Sequence, residues 1–501
     1  MPSRRQFLAA SASAGLAKCL PLNAAETEVT PDIVRLHGDI EPVVRLIENT
    51  AREKCFEMMV EQLRRGLPYR KFMAALFLAG IRNVSPQPPG FGFHCVFVVH
   101  AAHQLSLDAP VEDRLLPLFW ALDAFKESQM RDATGGSDFH MRPVSGKLPS
   151  GTAAWKEFHA AMNDWDEERA DRAIVAVVRS SSAHEVVKQL WQYGARDYRN
   201  IGHKAIFVAN TWRTLQTIGW QHAEPALRSL VLGLLDYGRN ERVNGYALED
   251  QSYANSAELA ARHASRFRRN AEDATRATTS TQSLLDVMRS GKSIEACDLA
   301  LRQLQSEQAG TTEIWDAIHL AAGELIMRQP GIYGIHTVTS TSALRYAFET
   351  AADQKTRLLI LMQGIGWMSQ FKNFMAGTKK GLNDTKITNL VPAEATGNGE
   401  ATINEVLSLV GNDAPSAARL AMRCATNQAG FARSARRLIL RKGNEPHDFK
   451  YPISIFEDFH RVSPIWRPHM LATATYNLVG ATRPDSPVMN RAKDALLMTT
   501  D

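Results

Sequence analysis

Ala205-Ile-Phe-Val-Ala-Asn-Thr-Trp-Arg-Thr-Leu215 places apolar side chains at 205, 208, 209 and 212, the i, i+3, i+4, i+7 spacing that lines one face of an α-helix. The same period runs through 43–64, 185–198, 226–237 and 357–371, where the strong helix formers Ala, Leu, Arg and Gln dominate. Strict in-and-out alternation is scarce, and the β-branched run 95–99 continues into helix-forming residues. The spacing predicts an all-α fold. Breakers cluster in 85–92, 132–151 and 376–399, which read as long irregular connections, either lids and binding loops or disordered stretches. Of 501 residues, 45% are hydrophobic and 22% charged, and the mean hydropathy is −0.24. Such a composition excludes collagen-like, disordered and multi-span membrane classes.

A layout recurs around that helix. Gly90-Phe-Gly-Phe-His94-Cys-Val-Phe, Asn200-Ile-Gly-His203-Lys-Ala-Ile-Phe, Ile332-Tyr-Gly-Ile-His336-Thr-Val-Thr and Ile465-Trp-Arg-Pro-His469-Met-Leu-Ala each combine a turn, a histidine and a new amphipathic helix. Successive histidines are 109, 133 and 133 residues apart. Trp120, Trp220 and Trp367 follow in a second helix, the last two within identical Ile-Gly-Trp triplets. Cys55 precedes His94, and Cys297 precedes His336, by the same 39 residues. The pattern predicts one domain over 26–501, built of four diverged helical units at 40–150, 151–270, 280–400 and 401–501 around a common central pocket.

Units packed about one axis bring equivalent positions face to face. His94, His203, His336 and His469 then converge from four helix N-termini as a metal site. Imidazoles suit Fe, Cu, Zn or Ni, and sequence alone does not separate iron, copper and zinc. The partial positive charge of a helix N-terminus keeps the imidazole neutral and able to ligate, and favours an anionic ligand or substrate. Each histidine taken singly also reads as a structural residue bonding a nearby carbonyl.

Three further residues are candidate catalytic groups. His100 and His103 share one helix face, with His94 well away from both, so these three form no ready-made triad. His222-Ala-Glu224 sets a carboxylate beside an imidazole, as a ligand or an acid–base pair. It reads equally as a helix start, with Pro225 in the first turn and Glu224 favouring the dipole. Phosphate-binding glycine motifs are absent, so no nucleotide cofactor is expected. GxSxG, HExxH and paired ExxH motifs are also missing. No CxxC or CxxCH occurs, which leaves zinc ribbons and covalent haem without support. Cys55, Cys95, Cys297 and Cys424 lie in apolar helical patterns and read as buried thiols.

Ser3-Arg4-Arg5-Gln6-Phe7-Leu8, a short apolar run and Asn23-Ala24-Ala25 resemble a twin-arginine export signal over 1–25. The resemblance implies the export machinery as a partner and a periplasmic or extracellular location. Its apolar run is too short to span a bilayer. Removing 1–25 takes away Arg4, Arg5 and Lys18 and lowers the formal charge from +5 to +2, a value that argues for no nucleic-acid partner. His336-Thr-Val-Thr-Ser and Gly202-His203, with Ala223-Glu224-Pro225-Ala-Leu, resemble the helical, histidine-bearing segments of questin-oxidase-like proteins. That resemblance implies an all-α fold and oxygen insertion into aromatic ketones. The expectation is an exported all-α oxidoreductase or oxygenase acting on a small molecule, anionic or otherwise polar, in a metal-containing pocket. A metal-dependent hydrolase or lyase on the same pocket, a non-catalytic helical-repeat scaffold and a periplasmic binding or cofactor-carrying protein stay open as alternatives.

Overall fold

Several helices start where a side chain supplies an acceptor for their first free N–H groups. Asp166, Asp353 and Asp413 cap theirs through a carboxylate, and Ser182 forms a capping box with Glu185. A computed structural model describes residues 33–497 apart from 35, 136–137, 238–247, 267–276, 396 and 398. Among the described residues every regular element is a helix and none is a strand, as the apolar period predicts. No described helix is long and apolar enough to cross a membrane. Residues 1–25, the segment resembling an export signal, lie outside the described residues.

Four helices form the centre: α1 (His94–Asp108), α2 (His203–Ile218), α3 (Ile332–Thr350) and α4 (Pro446–Arg461). Each packs on the next, and α4 packs back on α1, closing a ring of helices. They run the same way. Arg213, Tyr346 and Glu457, each ten residues beyond a histidine of its own helix, meet in one layer. There Arg213 Nη2 donates to Glu457 Oε1 at 2.7 Å, and its guanidinium lies 3.9 Å from the Tyr346 ring centroid.

The packing partners of α3 explain its composition. It is flanked by Thr311–Arg328 and Gln354–Ala376 as well as by α2 and α4, so almost every face is buried. Thr337, Thr339 and Ser340 satisfy their hydroxyls on carbonyls of their own helix. Small side chains let neighbours come close. A Cβ at Gly202 would sit 2.5 Å from Ser340 Cβ, and only glycine fits there.

Two sequence expectations need amendment. The Ile-Gly-Trp triplets occupy unlike structure: Ile218 ends α2 and Trp220 opens a short 3₁₀ turn, whereas Ile365-Gly366-Trp367 lies inside the helix Gln354–Ala376. Their identity therefore reflects composition, not equivalent positions in two units. The stretches 132–151 and 376–399 are irregular beyond Thr134 and Ala376, but they are tied down. Met141 exchanges backbone bonds with Arg82 and Val34, and Asn383 and Ala393 bond Arg328 and Arg419. Cys55, Cys95, Cys297 and Cys424 are buried free thiols, as their apolar settings predict.

Candidate metal centre

The parallel course of α1–α4 brings their N-terminal ends together. His94 and His203 are the first residues of α1 and α2, His447 is the second of α4, and His336 lies one turn into α3. All four are buried. The structure thus unites three of the expected histidines, His94, His203 and His336, and supplies His447 as the fourth.

Three of these imidazoles are fixed by one device. His94 Nδ1 bonds the Phe91 carbonyl at 2.8 Å, His203 Nδ1 the Asn200 carbonyl at 2.5 Å, and His336 Nδ1 the Ile332 carbonyl at 2.7 Å. A carbonyl only accepts, so each Nδ1 carries the proton and each Nε2 presents a lone pair. Those lone pairs converge: His203 Nε2 is 3.1 Å from His94 Nε2 and 3.0 Å from His336 Nε2. The fourth imidazole lies 4.9 Å from that of His94 and 5.1 Å from that of His336, centroid to centroid. One ring nitrogen each of His94, His336 and His447 falls within 4.8 Å of the others. His447 Nε2 is buried without a partner, while its Nδ1 faces the Glu445 carboxylate at 4.0 Å.

Backbone strain holds this arrangement. Asn200 and Ile201 adopt left-handed φ of 55° and 53° just before Gly202 at 82°, and Phe91 sits at 43°. Each non-glycine residue held there costs about 1–2 kcal/mol. Two of the three acceptor carbonyls belong to such residues. Asn200 is anchored by its side-chain amide, which donates to Asp236 Oδ2 at 2.7 Å. On the other side, a Cβ at Gly90 would lie 3.3 Å from His203 Cε1, so glycine is what lets the loop approach the imidazole.

Acceptor nitrogens facing each other at 3.0–3.1 Å repel unless something positive lies between them. A proton is disfavoured. Burial holds His94, His203 and His336 well below the ordinary imidazole value, and the nearby Lys450 charge adds to the effect. A metal ion fits. With metal–nitrogen bonds of about 2.05 Å, neighbouring donors stand about 2.9 Å apart at right angles and about 3.3 Å apart in a tetrahedron. His94, His336 and His447 are the three whose nitrogens all lie close enough to one another to hold such an ion, with His203 Nε2 beside two of them; an all-nitrogen set suits Fe, Cu, Zn or Ni rather than Mg or Ca.

Lys450 lies one turn beyond His447 on α4 and is 4% exposed. Its Nζ has no hydrogen-bond partner. Burial pushes its pKa down to about 7, offset in part by the Glu445 charge. The other basic residues that follow the histidines are matched by acids: Lys204 by Asp197, Arg213 by Glu457 and Arg345 by Glu349.

A cavity of about 670 Å³ reaches the cluster past Gly90, Phe91, His94, Trp120, Glu445 and His447. Its size suits a small organic ligand. Phe91, 81% exposed, stands among its lining residues.

The remaining sequence candidates lie elsewhere. His469 is half-buried and packs on Trp466 at 5.3 Å, not on the other imidazoles. It sits in the later, short helix Arg467–Ala474, so equal spacing selected the wrong helix start. His100 points into a separate cavity of about 700 Å³ shared with Gln104, Arg213, Arg433 and Glu457. Six residues of helix separate it from His94, about 9 Å of rise. His222 is buried beside Gln221, with the nitrogens 3.4 Å apart, and Glu224 is engaged by Arg179 at 2.7 and 2.8 Å. Neither reaches the cluster, and Glu224 serves the helix start that its sequence also suggests. His447 was legible in principle: Glu445-Pro446-His447 carries a proline-initiated helix start with a histidine in its first turn. Nothing local marks Lys450.

Comparison with family models, curated proteins and solved structures returns no match for this chain.

Proposed function

We propose that this protein is an exported metalloenzyme in which His94, His203, His336 and His447 bind one transition-metal ion at the inner end of the 670 Å³ cavity, and that it acts as an oxidoreductase or oxygenase. The observation that carries the reading is the shared construction of three imidazoles, each with Nδ1–H spent on a backbone carbonyl and Nε2 turned to a common point. Bound there, an iron or copper ion would supply redox chemistry or activate a small molecule at an open position. The chain's own part is to hold four neutral donors without a carboxylate among them, and to exclude water with Phe97, which packs on His94 and His203. The cavity flanked by Trp120 and Phe91 would receive a small organic substrate. Export rests on the residues Ser3-Arg4-Arg5-Gln6-Phe7-Leu8.

Elemental analysis of protein purified from the exported fraction tests both parts. The expected result is close to one equivalent of iron or copper, lost in His203→Ala and in His336→Ala. One equivalent of zinc would keep the centre but redirect the chemistry to hydrolysis or lyase activity. Substoichiometric metal, unchanged by either substitution, would overturn the reading in favour of a non-catalytic helical scaffold. Retention of the chain in the cytoplasm, with Arg4→Lys and Arg5→Lys changing nothing, would remove the export part alone.

A further inference from the structure

The charges around the cluster do not close. Four neutral imidazoles and the Lys450 amino group, cationic on the acid side of about pH 7, are buried together. A divalent metal adds two more positive charges, and the N-terminal ends of α1, α2 and α4 point their partial positive charge at the same place. Among the described residues the carboxylate facing the cluster is that of Glu445, at the rim and half exposed, 4.0 Å from His447. The neighbouring acids are already matched, Asp448 by Arg483 and Asp197 by Lys204.

Lys450 is placed to answer the imbalance. Its Nζ lies 5.4 Å from the Phe97 ring centroid. That ring in turn stacks on His203 at 5.8 Å and meets His94 edge-on at 5.9 Å. An ammonium brought this deep without a hydrogen-bond partner carries a desolvation cost that packing alone does not repay. A ligand that brings both an acceptor and a negative charge removes the cost.

We propose that the centre takes up a small monoanion together with its metal, of the carboxylate or azide class, held between the metal and Lys450 Nζ. The assignment rests on the metal reading above. Lys450 is then the residue that selects anionic over neutral ligands.

Cobalt(II) serves as the probe metal, since its visible spectrum reports coordination. The full-length protein is loaded with cobalt and titrated separately with sodium azide, sodium formate and neutral pyridine, in the wild type, Lys450→Met and Lys450→Arg. The expected result is a saturable spectral change with both anions in the wild type. In Lys450→Met, azide and formate should bind at least about tenfold more weakly, with cobalt stoichiometry and pyridine binding unchanged, and Lys450→Arg should recover most of the loss. Lys450→Met replaces an unpartnered buried ammonium, so the metal-free variant should melt no lower than the wild type. Equal anion affinity in wild type and Lys450→Met overturns the proposal while leaving the metal centre standing. So does an equal loss of pyridine binding, or an absence of any anion response in the wild type. A wild type that binds no cobalt at the cluster overturns the metal reading and this inference with it.

Discussion

Replacing His203 by alanine removes the imidazole that stands between two others, 3.1 Å from His94 and 3.0 Å from His336. Structural zinc sites bind with about 10–16 kcal/mol at neutral pH, so each of four imidazoles carries about 2.5–4 kcal/mol. At about 1.4 kcal/mol per decade, the affinity should fall roughly 50- to 1000-fold. The metal-free protein changes for a different reason. It loses a buried side chain stacked on Phe97, a void costing about 2–3 kcal/mol, partly offset by relief of the facing lone pairs. The two effects separate in urea denaturation with and without metal. At a metal concentration about 100 times the wild-type Kd, the wild type gains about 2.7 kcal/mol, whereas a variant binding 100-fold more weakly gains only about 0.4 kcal/mol. Equal increments in both proteins would refute the reasoning, as would a wild type that none of Fe, Cu, Zn or Ni stabilises.

Stability of the metal-free protein should fall as the pH drops below the ordinary imidazole value. Burial holds His94, His100, His203, His319 and His336 well down, so the unfolded chain takes up protons below about 6.5 that the folded one refuses. Asp316 and Asp458, raised by burial to about 6 and about 7, act the other way, since the folded protein keeps their protons. The imidazoles outnumber the raised carboxyls and set the sign, so acidification below about pH 6.5 lowers stability; equal urea stability at pH 7 and pH 5 would contradict this. His447→Ala should weaken metal binding as His203→Ala does, and His469→Ala should leave it unchanged. The reverse ranking in competition titrations would restore His469 to the set. Gly90→Ala forces a Cβ toward the His203 imidazole at a φ of 127°. It should cost about 1–2 kcal/mol of stability and weaken metal binding about tenfold or more, and unchanged affinity would show that the loop does not constrain the imidazole.

The all-helical character was written locally. Apolar residues at helical spacing, good helix formers and acidic or serine caps act over a few residues, and each can be read without knowing what lies across the fold. Three of the four clustered histidines were legible for a related reason: each follows a glycine-containing turn and opens a helix or its first turn, and such N-terminal positions can meet if helices run parallel. The fourth position went astray because equal spacing along the chain is no physical constraint. Helices pack by their faces, whatever the length of chain between them. His447 and His469 both open helices that begin with proline in the first turn, and no local property distinguishes them.

What only the tertiary structure decided is which helix starts share a point in space and which charges are left without partners there. Lys204, Arg213 and Arg345 are the basic residues that sequence associates with the histidines, yet each finds an acid on folding. Lys450 does not. Whether a buried charge is satisfied depends on side chains far apart in the chain, so the helices and most of the donor set belong to the local sequence. The choice of the fourth imidazole and the unmatched ammonium beside it belong to the packing of α4 against α1 and α3.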